Sequence, residues 1–487
     1  MSFNTSIAEN IRAQVEAVIE FVSGESGQTE SAYEVEVRLW REMLVMGQQL
    51  MQLFFNKQEE GEERHKGYEV DGVIYGYRGQ RKRQYVSLFG EVSVGRAYYW
   101  NKGEAGQLPL DEALSLPERS FSELVQERVG EMTVMMPYEE ATALFSKWLG
   151  WELHKRPTQQ INADHAEEMS AYYEARAIPE APSEDTIMVV SADGKGIPMT
   201  RQDSPPPEAR RGRGQKKTAK KEATVTAVYT IAPYKRTADD IIRALIPADT
   251  VEPSSLSARP KPSHKQVFGT LDGQQAAFEQ LSQHVARRDA DPITHYVALT
   301  DGNRGLKNRV QQDLPHFTLI VDIMHVTEYL WDAANTLLGE THPMRDVWMR
   351  DAMRCLLEDD LDHLLNHLDY QLAGLSKHKQ TTLTKVMTYL RNNRDYLHYQ
   401  TYLANGYPIG TGVIEGACRH LVKDRFERAG MRWSKAGAQV LLDLRAVYLN
   451  GDWDDFQRFR RHQAHLKRYG ASHPHAVPED LMLGVAA

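Results

Sequence analysis

The sequence predicts a mixed α/β protein. A helical and small-β N-terminal region precedes an α/β core with a mixed sheet, and an all-helical block interrupts that core before its last segment. Three observations carry this. Two apolar runs, TIMVVSADG and ITHYVALTDG, have the Val/Ile/Thr content of buried strands, and each ends in Asp-Gly. The stretches YEVDGVIYGYRG and QYVSLFGEVSVGRAYYW are rich in Val and Tyr with Gly between, as in a small meander. From 326 to about 400 no strand pattern occurs, and EYLWDAANTLL, VWMRDAMRCLLEDDLDHLLNHL and LTKVMTYLRNNRDYL read as helices.

In chain order, residues 1–55 are expected to be helical, with Val15, Val18, Ile19 and Val22 and then Leu39, Met43, Leu44 and Met46 at helical spacing. With the meander at 68–101 they make a first region, 1–110. Residues 111–180 form a second, helical region. There Ala141, Leu144, Phe145 and Trp148 share a helix face, Gly150 breaks the pattern, and Pro157 suits the start of a further helix. Two helices joined by a short Gly-containing turn fit a DNA-binding helix-turn-helix, with Thr158, Gln159, Gln160 and Asn162 outward, and equally an ordinary helical hairpin. A linker, IPEAPSEDT, leads to the first part of the core, 185–325. Its expected elements are TIMVVSADG, GIPMTR pairing back on it, ATVTAVYTI, a helix at 273–287, ITHYVALTDG, the helix NRGLKNRVQQDL, and the strand FTLIVDIMH. The helical insertion is 326–405, the final core helices 406–470, and a tail 471–487.

The net charge of −9 argues mildly against a nucleic-acid binder, because such affinity rests on phosphate neutralisation. The charge is uneven, however: EARRGRGQKKTAKKE, residues 208–222, holds seven Lys/Arg against two Glu, and Arg213, Lys216 and Lys217 are its candidate DNA contacts. Cys355 and Cys418 belong to no C-x-x-C pair, which excludes a zinc knuckle and fits a reduced cytosolic setting. No secretory signal and no bilayer-spanning apolar run is expected.

The strand-terminal acids are the chemical signal. Ligands gather beyond the carboxyl ends of strands in a sheet with a parallel portion. Asp193 and Asp301 would stand there, and Glu415, flanked by Gly410, Gly412 and Gly416, would join them from a later helix. Two carboxylates about 4 Å apart repel by roughly 4 kcal/mol at an effective dielectric near 20. Three together become favourable when a hard divalent cation binds them. Asp322 also ends a strand and is the alternative second ligand, with His325 beside it in a supporting role. Beyond Glu415, Arg419 and Lys423 follow at i+4 and i+8, then Arg428, Arg432 and Trp433, a basic face suited to a phosphate backbone or simply to solvent.

The segments VSADGKGIP, LTDGNRGLKNRV, VDIMHVTEYLW and YPIGTGVIEGACRHLVKDRFERAGMRW together resemble the ISKra group of bacterial insertion-sequence transposases, which is similar to the wider DDE class that includes Mutator-like elements. The resemblance covers roughly residues 68–450. It implies an RNase H-like core with an all-helical insertion, and cutting and joining of transposon ends with two Mg²⁺ or Mn²⁺ ions. The acids of the class fall on Asp193, Asp301 and Glu415. The acid-x-x-His pattern of related families matches Asp322-Ile323-Met324-His325. The implied partners are terminal inverted repeats and target DNA on the bacterial nucleoid, and a second copy of the chain or a larger homo-oligomer. A non-catalytic DNA-binding regulator on the same scaffold, or a structure-specific nuclease, are the competing expectations.

Overall fold

The computed structural model describes residues 3–62, 65–203, 220–247, 258–289, 291–428 and 430–470. Two units divide the chain: Met1–Arg176 with Asp452–Ala487, and Ala177–Gly451. The expected boundary at 470 therefore moves. The helix Trp453–Tyr469 belongs to the N-terminal unit, where Phe456 meets the Tyr172 ring at 5.5 Å and Arg176 binds Asp452 at 2.8 Å.

The N-terminal unit begins with the helices Phe3–Ser23 and Ala32–Gly61. The second starts at a capping box, in which the Glu34 N–H donates to Ser31 Oγ and the Ser31 N–H donates to the Glu34 carboxylate at 2.8 Å. An antiparallel meander follows as expected: β1 Gly67–Val70, β2 Val73–Ser87 and β3 Gly90–Trp100, in that order. Phe55 of the long helix packs with Val92 and Val94 of β3 and with Leu110 and Leu116.

Three further helices follow, Glu123–Met135, Tyr138–Leu149 and Lys155–Glu167; the first two share a core that includes Val125, Val129 and Phe145, and the third packs against both. Gly150, at φ 75°, ends the middle one in the left-handed conformation that favours glycine. The expected outward row is corrected here. Thr158 and Asn162 are fully buried, and the Asn162 amide donates to Thr133 Oγ1 at 2.8 Å and to the Tyr138 hydroxyl at 3.1 Å. Gln159 and Gln160 are exposed. Thr158 Oγ1 donates to the His154 carbonyl at the start of its own helix, and Asn162 bonds the two neighbouring helices, so neither faces outward.

The second unit is built on a mixed five-stranded sheet. Its strands are β4 Ile187–Pro198, β5 Lys220–Ile231, β6 Ser263–Thr270, β7 His295–Thr300 and β8 Thr318–Val321, in the order β6-β5-β4-β7-β8. β4 pairs antiparallel with β5, and β5 with β6, whereas β4, β7 and β8 run parallel. GIPMTR does not turn back. Residues 194–198 continue β4, and their pairing runs on from Gly194↔Thr224 to Pro198↔Lys220. The fifth strand is instead β6, an edge strand.

Alternation along the strands divides the core. Ile187, Val189, Val297 and Leu299 face the helical insertion, which comprises the helices Ile323–Leu337, Arg345–Leu357, Leu361–Leu372, Lys377–Asn393 and Tyr399–Ala404. Met188, Val190 and Ala298 face the helices Gln274–Arg288 and Arg304–Asp313 on the other side. A short helix that the sequence reading did not foresee, Ala238–Leu245, adds Ile241 and Ile242 to the first face. At the C-terminal end of Gln274–Arg288, Arg288 makes a buried two-pronged bond with Glu184, Nε to Oε1 and Nη2 to Oε2, each 2.9 Å. No helix among the described residues is long and apolar enough to cross a membrane, and both cysteines are free thiols.

Candidate active site

Register brings three aspartates to one end of the sheet. Ser191 of β4 and Leu299 of β7 are the last pair of the two strands, and Asp193 and Asp301 each follow two residues beyond it. Thr300 pairs with Val321 of β8, and the Asp322 N–H donates to the Thr300 carbonyl at 2.9 Å, so 301 and 322 are neighbours. Asp301 and Asp322 thus follow directly on β7 and β8, whereas Asp193 does not end its strand as expected but lies within β4, which runs on to Pro198 beside β5. Asp193 shares the alternation of Ile187 and Val189, which places it toward the insertion side of the sheet.

Asp301 sits in a turn held from below and above. Its Oδ1 accepts the Asn303 N–H at 2.8 Å, and Asn303 in turn caps Arg304–Asp313. Its carbonyl accepts the Tyr389 hydroxyl of the insertion at 3.2 Å, and Tyr389 is stacked on Tyr329 with centroids 3.8 Å apart. Gly302 adopts φ 85°, and a Cβ there would come within 3.0 Å of the Tyr389 oxygen.

Asp322 is the most heavily bonded of the acids. It is fully buried and caps Ile323–Leu337 rather than extending β8, which stops at Val321. Oδ1 accepts the N–H groups of Met324 at 3.1 Å and Thr411 at 3.2 Å. Oδ2 accepts Thr411 Oγ1 at 2.6 Å and faces His325 Nδ1 at 2.7 Å. Burial pushes its carboxyl pKa up, but the bonds from His325, Thr411 and Met324 outweigh that and leave it below the ordinary 3.8. The bond to Asp322 pushes His325 up to about 9, against the opposing pull of burial. This imidazolium is the cation of the trio.

Glu415 reaches the same place from the helix Gly412–Ala417. Its Oε1 lies 3.2 Å from Thr411 Oγ1, whose single proton serves the shorter contact to Asp322. One turn on, the buried Cys418 thiol donates to Asp193 Oδ2 at 3.4 Å. Burial, followed by the charge of Asp193, raises its pKa and keeps it protonated. The segment 411–418 is therefore tied to β4 at one end and to the Asp322 turn at the other.

Asp322, His325 and Glu415 each offer a ligand atom within 4.8 Å of the other two, the one such group among the described residues. The expected set of Asp193, Asp301 and Glu415 is not that group. The structure brings Glu415 to the alternative acid, Asp322, while Asp193 and Asp301 each lie two residues past the last β4–β7 pair. Sequence reasoning missed Thr411, Cys418 and Tyr389. Thr411 and Cys418 lie inside the YPIGTGVIEGACRH motif, whereas Tyr389 carries no local signal.

The basic face differs in detail from an ideal helix. Cys418–Lys423 is π-helical, so bonds run i→i+5 and the i+4, i+8 alignment of Arg419 and Lys423 with Glu415 slips. Arg419, Lys423, Arg428 and Arg432 are all exposed. Arg425 is buried, its guanidinium 5.0 Å from the Trp433 ring centroid. Arg213, Lys216 and Lys217 lie outside the described residues.

No family model matches the chain. The chain is similar to a UPF0236 protein in the vanSb 3′ region of Streptococcus gallolyticus, with 23% identity over 419 residues that span 82% of this chain and 80% of that protein.

Proposed function

We infer that the protein is a DNA transposase with an RNase H-like core, cutting and joining transposon ends with Mg²⁺ or Mn²⁺. One observation carries this reading: on a five-stranded mixed sheet Asp193 stands just past the last pair of β4 with β7, Asp301 and Asp322 follow the last residues of β7 and β8, and Glu415 lies within 4.8 Å of Asp322 and His325. The resemblance to ISKra-group transposases supports it.

The donor chemistry fits a hard divalent cation, which prefers carboxylate oxygens. The acids differ in what they have left to give. A carboxylate offers about four acceptor sites, and hydrogen-bond donors engage all four of those on Asp322. Asp301 has one oxygen without a hydrogen bond among the described residues, and Glu415 has both to offer, since the Thr411 proton serves Asp322. Asp193, Asp301 and Glu415 are therefore the residues that would hold the cations, and Asp322 holds the holders. When bound, the cations supply charge stabilisation to an in-line displacement at phosphorus. Asp322 fixes Thr411, and with it the start of the Glu415 helix. His325, charged at neutral pH, offers its other nitrogen to a phosphate oxygen. Arg419, Lys423, Arg428 and Arg432 bind the phosphate backbone. Holding two ends at once calls for a dimer or larger assembly.

The test is strand transfer of terminal-repeat DNA with Mg²⁺, using wild type and the Asp193→Asn, Asp301→Asn and Glu415→Gln variants. Each change is expected to abolish transfer. Activity that survives all three rejects the assignment.

A further inference from the structure

β2 carries four cations within six residues, Arg78, Arg81, Lys82 and Arg83, and residues 73–90 contain no Asp or Glu. In a chain of net charge −9 this is a strong local surplus. Other surface cations of the same unit sit against acids, as in Lys57–Glu60 at 2.7 Å, Arg128–Glu131 at 2.8 Å and Lys155–Glu139 at 3.1 Å. Arg78, Arg81 and Lys82 are exposed and make no ion pair among the described residues. Arg83 is different: it turns inward and donates to the carbonyls of Pro117, Glu118 and Arg119.

Two of the three free cations are braced on rings. The Arg81 guanidinium lies 3.3 Å from the Tyr98 centroid, and that of Arg78 lies 5.5 Å from the Trp100 centroid. A ring beneath a guanidinium fixes its plane and leaves its N–H edge free for an anion. The register between β2 and β3 slips between Tyr77 and Gln80, so Arg78 and Gly79 together oppose Tyr98, with Gly79 at φ 105°. Such a bulge re-aims the side chain beside it.

We propose that β2 is a duplex-DNA backbone-binding surface, with Arg78 and Arg81 contacting phosphates from the face of Tyr98 and Trp100; Lys82 points to the opposite face, where Gly95 and Glu59 lie. From 78 to 81 the strand extends about 10 Å. A duplex presents roughly six phosphate charges over that length. The surface extends the transposase reading, since it assumes that the protein acts on DNA, but it does not depend on catalysis.

The test is anisotropy titration of a labelled mixed-sequence duplex of about 30 base pairs in EDTA, with the full chain, between about 50 and 200 mM salt. The Arg78→Gln/Arg81→Gln variant is compared with Lys57→Gln/Arg128→Gln, which removes equal charge from paired positions. The β2 variant is expected to bind about tenfold more weakly at about 100 mM salt, with a log–log salt slope shallower by about 2. The control should stay within about twofold of wild type by the same relation. Equal losses in both variants, or no binding by wild type, overturn the proposal. Strand transfer at saturating DNA separates the two ideas. Wild-type transfer with unimpaired binding by the β2 variant removes the surface alone. The expected binding loss without any wild-type transfer removes the transposase reading alone.

Discussion

Replacing Asp322 with alanine tests whether this acid holds the site or serves as a cation ligand. The change deletes an acceptor for four donors at once. Loss of the cap on Ile323–Leu337 costs about 1 kcal/mol. The Thr411 N–H, on a residue 2% exposed, is left without a partner, which costs about 1–3 kcal/mol. The charge-assisted bond to His325 contributes about 1.5–3 kcal/mol. His325 is about a third exposed and regains water, and these terms share one carboxylate, so they do not add in full. The net expectation is about 3–5 kcal/mol, as for breaking other buried charged pairs. At roughly 2–4 °C per kcal/mol the melting temperature falls by about 10 °C, read by calorimetry in EDTA. Asp301→Asn keeps an acceptor for the Asn303 N–H and should stay within about 0.5 kcal/mol, the range of ordinary surface changes. An Asp322→Ala protein that melts like wild type refutes the argument and returns Asp322 to the candidate ligands.

The same pair sets a pH signature. His325 is raised from 6.5 to about 9, so its contribution is complete below about pH 6.5 and is lost as pH rises through about 9. His325→Gln should flatten that alkaline decline in the metal-free protein, and an unchanged profile counts against the bond. Glu184→Ala strips the buried Arg288 of its two-pronged partner and should destabilise the second unit by about 3–5 kcal/mol in urea melts, whereas a loss under about 1 kcal/mol would show that water reaches the site. Tyr389→Phe keeps the stack on Tyr329 but removes the bond to the Asp301 carbonyl. It should cost about 1 kcal/mol of stability and weaken Mg²⁺ binding in calorimetric titration, and unchanged affinity would show that the Asp301 turn holds itself.

The strands β4 and β7 were legible because buried parallel strands read as apolar runs, although only β7 stops at its Asp-Gly and β4 runs through it to Pro198. The helical insertion was legible for the same kind of reason, a sustained helical period. β6 was not. Its first half, Ser263-His264-Lys265, is polar because it sits partly exposed at the sheet edge, and only Gln266–Thr270 is buried. GIPMTR looked like a return strand because Gly-Lys-Gly reads as a turn, yet β5 is long enough to pair with every residue through Pro198. Thr158 and Asn162 looked like outward readers because they are polar, but Thr158 bonds back to its own helix and Asn162 finds partners in two other helices. Of the site, the four acids and His325 were legible. Which acid is free to bind a cation was not, since that depends on Thr411, 89 residues from Asp322 along the chain.

The arrangement at the strand ends has an electrostatic logic. Neighbouring strands lie about 4.8 Å apart. At an effective dielectric near 20, charges at that spacing repel by about 3.5 kcal/mol. Three aspartates in a row, joined by Glu415, would carry that strain at every step. The fold relieves one end internally: Asp322 is given an imidazolium, a hydroxyl and two backbone N–H groups, and its charge is compensated without help from outside. At the other end Asp193 receives only a weak thiol donor besides its own chain neighbour, and Asp301 only a backbone N–H. Acceptor capacity is left over there, which a bound cation would use. If that imbalance drives binding, Mg²⁺ should raise the melting temperature of wild type, and the rise should shrink in Asp193→Asn and Asp301→Asn. Equal stabilisation of all three proteins would mean that the cation sits elsewhere.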